Sequence, residues 1–185
     1  MKQLMSFVFL SILFSVILNS QSNTFAQDKD KKVRASLMAS VMQRLGVDTD
    51  ITIVYSRPGV KGRKIWGGLE PYGKVWRAGA NENTTFEASK DILVNGQKLP
   101  AGKYGLHMIP GEKEWTIIFN KDNAAWGSFS YDQNKDALRI SVTPKEAPAQ
   151  EWLMYGFDDL AGTSATGYLW WEKLKVPFEI KVASE

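Results

Sequence analysis

Cationic forks and flat aromatic rings crowd one stretch of the chain, YSRPGVKGRKIWGGLEPYGKVWRAGANE, which runs from Tyr55 to Glu82. Arg57, Arg63 and Arg77 each carry a planar guanidinium that fits carboxylate, sulfate or phosphate groups. Trp66, Tyr72 and Trp76 supply rings able to stack on a sugar or to cover a core. Asn81 adds an amide that can orient a ligand hydroxyl. The same residues also have a plain structural use. The tryptophans could plug one end of a fold while the arginines pair with Glu70, Glu82 or Glu87.

His107 is the only histidine, and so the one side chain poised to titrate near neutral pH. In KYGLHMIP, Tyr104, Leu106 and Met108 share one strand face, and His107 lies on the other, looking outward or into a cleft. With Glu82 it is a candidate acid/base pair for a hydrolase. Glu82 and Glu87 could instead act as two carboxylates flanking a glycosidic bond, although their spacing in sequence does not fix their separation in space. The chain has no cysteine, which removes thiol nucleophiles and Cys-based metal sites, and one histidine cannot build a multi-His site. Neither a metal nor a cofactor is expected.

Three motif mimics fail on chemistry. Gly68, Gly73 and Lys74 approach a phosphate-binding loop, but Val75 stands where a magnesium-binding hydroxyl is needed, and no helix-forming run follows. Asp132, Asn134 and Asp136 resemble the opening of a calcium loop, but Ala137 replaces the required glycine and Thr143 the closing glutamate. YDQNKD therefore reads as a polar hairpin loop. GTSATG lacks the spacing of a nucleophile elbow.

The elements that must hold these residues are strands. ITIVY, TTFEAS, DILVNGQKLP, KYGLHMIP, EWTIIFNK, ALRISVTP, EWLMYGF, GYLWWEK and KVPFEIKV follow one another at short intervals. Asn95-Gly96 and Pro110-Gly111 are turns with a mechanism, since glycine frees φ and proline fixes it. Residues 37–45 fit helical spacing as well as alternation, and the surrounding strands favour a strand there. The expected fold is all-β: a single antiparallel β-sandwich or partly closed barrel over residues 37–185, with the long Gly/Pro/Trp-rich Tyr55–Glu82 segment wrapping one end.

Residues 1–26 read as a signal peptide. Lys2 is the positive start, FVFLSILFSVIL the apolar run, and Thr24, Phe25 and Ala26 the cleavage site. That apolar run is shorter than the roughly 20 residues that span a bilayer, so no transmembrane segment is expected in the mature chain. Residues 27–36 form a flexible charged leader. The predicted location is periplasmic or secreted. With 23 basic and 20 acidic residues the charge is too balanced for a nucleic-acid partner. Without disulfides, packing must supply the stability, and seven tryptophans are available for it.

The Tyr55–Glu82 run, followed by LPAGKYGLHMIPGEKEWTIIFN and WGSFSYD, resembles the uncharacterised exported bacterial family known as domain of unknown function two-nine-one-one. The resemblance covers nearly all of the chain from about Ser40 onwards. It implies an envelope location and a mostly-β fold, and it implies no activity or catalytic residue. Three functions remain open. The first is binding of a small anionic or carbohydrate ligand, with Arg57, Arg63 and Arg77 on the anion, Trp66 and Trp76 as walls, and Asn81 and His107 as orienting groups. The second is a hydrolase of envelope or extracellular polymers using His107 and Glu82. The third is a structural module with an envelope protein as partner, favoured slightly by the consecutive Trp170 and Trp171, which must point to opposite faces.

Overall fold

The structure is a computed structural model, and it describes residues 33–183. The signal peptide and most of the charged leader lie outside the described residues. From Arg34 the chain forms one unit of ten strands, with a single 3-10 turn over Gln133–Lys135 and no α-helix among the described residues.

β1 (Leu37–Leu45) pairs antiparallel with β2 (Thr49–Arg57) along its whole length, from Leu37 opposite Arg57 to Leu45 opposite Thr49. This settles the choice left open by the spacing. A helix would satisfy the same backbone groups, but it would leave the outer edge of β2 unpaired, and β1 covers that edge. The six-stranded sheet continues through β3 (Thr85–Ala88), β6 (Gly102–Ile109), β7 (Trp115–Asn120) and β8 (Asp136–Val142). A second sheet has the order β5 (Gln97–Leu99), β4 (Ile92–Val94), β10 (Ser164–Val182) and β9 (Lys145–Asp158). Every pairing is antiparallel and neither sheet closes on itself, so the fold is a sandwich rather than a barrel.

Asn95-Gly96 makes the β4–β5 turn with both φ angles positive, the geometry that matches strand twist in a two-residue hairpin. GYLWWEK and KVPFEIKV join into one long strand, β10, kinked by register shifts on either side of Glu172. The inward faces follow the alternation in the sequence. Ile51, Ile53 and Tyr55 of β2, Phe86 of β3 and Leu106 and Met108 of β6 meet Leu153 and Tyr155 of β9 and Leu169, Trp171 and Phe178 of β10 in one core.

One end of that core is tryptophan. The Trp66 ring stands edge-on to Trp76, Trp115 and Trp171, with centroids 4.6 to 5.9 Å apart. Edge-to-face pairs contribute about 0.5–1.5 kcal/mol each beyond the area they bury. In a chain without cysteine the tryptophans thus supply stability that disulfides supply elsewhere. Trp171 is fully buried, whereas its neighbour Trp170 is half-buried and donates to the Pro148 carbonyl.

Candidate functional site

The wrapping segment between β2 and β3 is stitched to both sheets by its backbone. Leu153 N–H donates to the Pro58 carbonyl and Val60 N–H to the Glu151 carbonyl, which fixes the start of the segment to β9. Trp76 and Met108 exchange two bonds of 2.8 Å each, fixing its middle to β6. Ala78 is fully buried at φ +49°, a conformation that costs a non-glycine residue about 1–2 kcal/mol. Its carbonyl is held by the hydroxyls of Thr84 at 3.1 Å and Tyr155 at 2.8 Å. Lys61 and Asn81 also have positive φ. Strain that the surroundings hold in place is a common mark of functional loops.

Anchored this way, the segment encloses a cleft of about 430 Å³ whose lining includes Lys61, Arg63, Leu69, Glu70, Trp76 and Arg77. A smaller cleft of about 180 Å³ adjoins it, sharing Glu70, Trp76 and Arg77 and adding Lys74, Ser128 and Phe129. Lys61, Arg63 and Arg77 form no ion pair among the described residues. Arg63 spends two of its N–H groups on the Gly59 and Val60 carbonyls, which fixes the plane of the fork. Arg77 donates to the Asn81 carbonyl and stands 5.4 Å from the centre of the Phe129 ring.

Gly127 explains how the two loops meet. Its φ is +70°, which favours glycine, and a Cβ there would sit 2.7 Å from the Arg77 guanidinium carbon and push that side chain aside. Glu70 is the acid of the site. Burial pushes its carboxyl up to about 7, against the opposing pull of Arg77 and Arg63. It accepts no hydrogen bond from a protein group and forms no ion pair among the described residues, so it is a negative charge that the site holds only weakly. No three acidic or histidine side chains converge as metal ligands among the described residues.

The remaining sequence candidates divide between the clefts and the frame. Arg57 donates to the Leu153 carbonyl at 2.9 Å and so fastens one sheet to the other. Trp66 is in the core plug, and its indole N–H is buried without a partner. Trp76 serves both purposes, with its ring in the plug and the residue lining both clefts. Asn81 lines the larger cleft, and its amide holds the Ser36 carbonyl at 3.1 Å. Tyr72, at the outer turn, is partly exposed.

His107 does face away from the core, but it is covered. The loop from Lys121 to Lys135 folds over it, leaving the ring 2 % exposed, with Nδ1 2.8 Å from the Ser128 hydroxyl. Burial lowers its pKa to about 4, so the ring is neutral at pH 7. Around it lies a polar network. Asn120 bonds the Asp136 carboxylate at 2.7 Å, and Tyr131 and Arg139 bond the other Asp136 oxygen. Glu82 lines neither cleft, nor the small cavity beside His107. It pairs with Arg34, and its own backbone N–H followed by that Arg34 bond holds the carboxyl below its usual range.

Sequence reasoning missed the part that Glu70 and Phe129 play. Glu70 has no motif around it, and its perturbed state depends on burial that only the folded segment creates. Phe129 arrives from a loop 52 residues beyond Arg77.

The model of the family described as "Protein of unknown function (DUF2911)" matches residues 36–180, well over half of the chain, and the chain belongs to that family. No curated protein and no solved structure matches.

Proposed function

We propose that this member of a family without an assigned activity is an exported protein that binds a small anionic ligand in the cleft under its wrapping segment. Export rests on the charge and apolar pattern of residues 1–26. No helix among the described residues is long and apolar enough to cross a membrane. One observation carries the binding function: Lys61, Arg63 and Arg77 line a single cleft, and among the described residues no carboxylate forms an ion pair with any of them. Arg63 spends two N–H groups and Arg77 one on backbone carbonyls, so each five-donor guanidinium keeps further donors on the cleft. Guanidinium groups left open in a concave site are arranged to receive an acceptor from outside.

The test is a thermal-shift titration of the purified protein with glucuronate, glucose 1-phosphate and neutral glucose. A ligand at one hundred times its Kd adds about 2.7 kcal/mol to stability. The anions should therefore raise the melting temperature while glucose does not. Arg77→Ala should weaken the anion effect at least tenfold, about 1.4 kcal/mol. Equal shifts in Arg77→Ala and wild type would overturn the assignment, as would no shift with any anion.

A further inference from the structure

The two clefts share three lining residues, and both carry cations: Lys61 and Arg63 in the larger, Lys74 in the smaller, with Arg77 at the junction. A volume of about 430 Å³ falls within the range that holds a whole small molecule, and about 180 Å³ falls below it. The smaller cleft is therefore an extension of the larger rather than a second site.

We propose that the clefts form one continuous track whose occupant is an acidic oligosaccharide at least two units long, with one acidic group near Arg63 and Arg77 and the next near Lys74. This rests on the anion-binding reading above and names its ligand class. Three observations favour a sugar chain. Trp76, 6 % exposed, lines both clefts and joins them. Phe129, 85 % exposed, stands on the smaller cleft with Arg77 over one face of its ring, which leaves the other face for a sugar. Finally, the lining comes from turns and loops, without the open strand edge to which an extended peptide would add. The apolar faces and acidic groups of a sugar chain match the Phe129 ring and the cations that line the track.

Calorimetric titration with galacturonate, digalacturonate and trigalacturonate tests this, using wild type, Lys74→Ala, Phe129→Ala and Arg63→Ala. Lys74 and Phe129 are exposed, so their variants should fold as wild type does. The dimer should bind at least tenfold more tightly than the monomer. Lys74→Ala and Phe129→Ala should erase that gain, so that dimer and monomer bind alike, and Arg63→Ala should weaken monomer and dimer by the same factor. A monomer that binds as tightly as its dimer would overturn the track and leave the anion site standing. Binding of glucose 1-phosphate but of no uronate would overturn the ligand class. If no acidic compound binds at all, both readings fall together.

Discussion

Glu70 decides how the site should respond to pH. It sits between two arginines, yet burial keeps its proton on up to about pH 7. Below that pH the carboxyl is neutral and Arg63 and Arg77 are free to hold an anion. Above it, the ionised carboxylate competes with the ligand for the same guanidinium groups. A uronate stays ionised across this window, so its affinity should rise as pH falls from 8 to 6. In Glu70→Gln the affinity should be high and nearly flat over that range. A pH profile unchanged by Glu70→Gln would contradict this account. The stability term has a definite sign. A carboxyl whose folded pKa is raised contributes stability at pH below about 4.5, and that contribution is lost as pH rises towards 7. Glu70→Gln should therefore gain relative stability at pH 8. Sequence reading put Glu70 among the salt-bridge partners, because nothing in GGLEPYG reveals how much water reaches the carboxyl.

At the scale of elements, two irregular segments make the site and ten strands hold them. The strands were largely legible, because Ile51, Ile53 and Tyr55 alternate inward as a half-buried strand requires, and Asn95-Gly96 marks its turn outright. The wrapping segment was legible as one long connection, but not its partners. Arg57 and Arg77 look alike in sequence, and only the fold sends one to a backbone carbonyl of β9 and the other into a cleft. The loop over His107 gave no sign of being a cover, since WGSFSYDQNKD is polar enough to pass as a solvated hairpin. His107 latches that loop through Ser128. Its folded pKa, about 4, lies below the ordinary 6.5, so the latch contributes fully above pH 6.5 and is lost as pH falls towards 4. Relative to the intrinsic exchange rate at each pH, hydrogen exchange in residues 121–135 should accelerate across that interval in wild type. His107→Asn keeps a short polar contact without a group that titrates there, and should flatten the response. Acceleration of equal size in His107→Asn would show that the loop is held by other bonds.

At the scale of the whole molecule, the sandwich acts as a rigid frame that opens at one end. The tryptophan plug closes the core beneath the clefts, and the wrapping segment spans from β9 to β6 above it. Sites carried on loops and positioned by a rigid sandwich are a recurrent arrangement, and the strained backbone at Ala78 is affordable only because both sheets brace it. The central claim is that the cations of the wrapping segment receive a ligand's acidic group. A crystal structure of the protein with digalacturonate tests that most directly. The account predicts a carboxylate within hydrogen-bond distance of the Arg63 and Arg77 guanidinium groups, with the second sugar lying towards Lys74 and Phe129. A ligand seated elsewhere on the molecule, with Arg63 and Arg77 making no contact to it, would contradict the account.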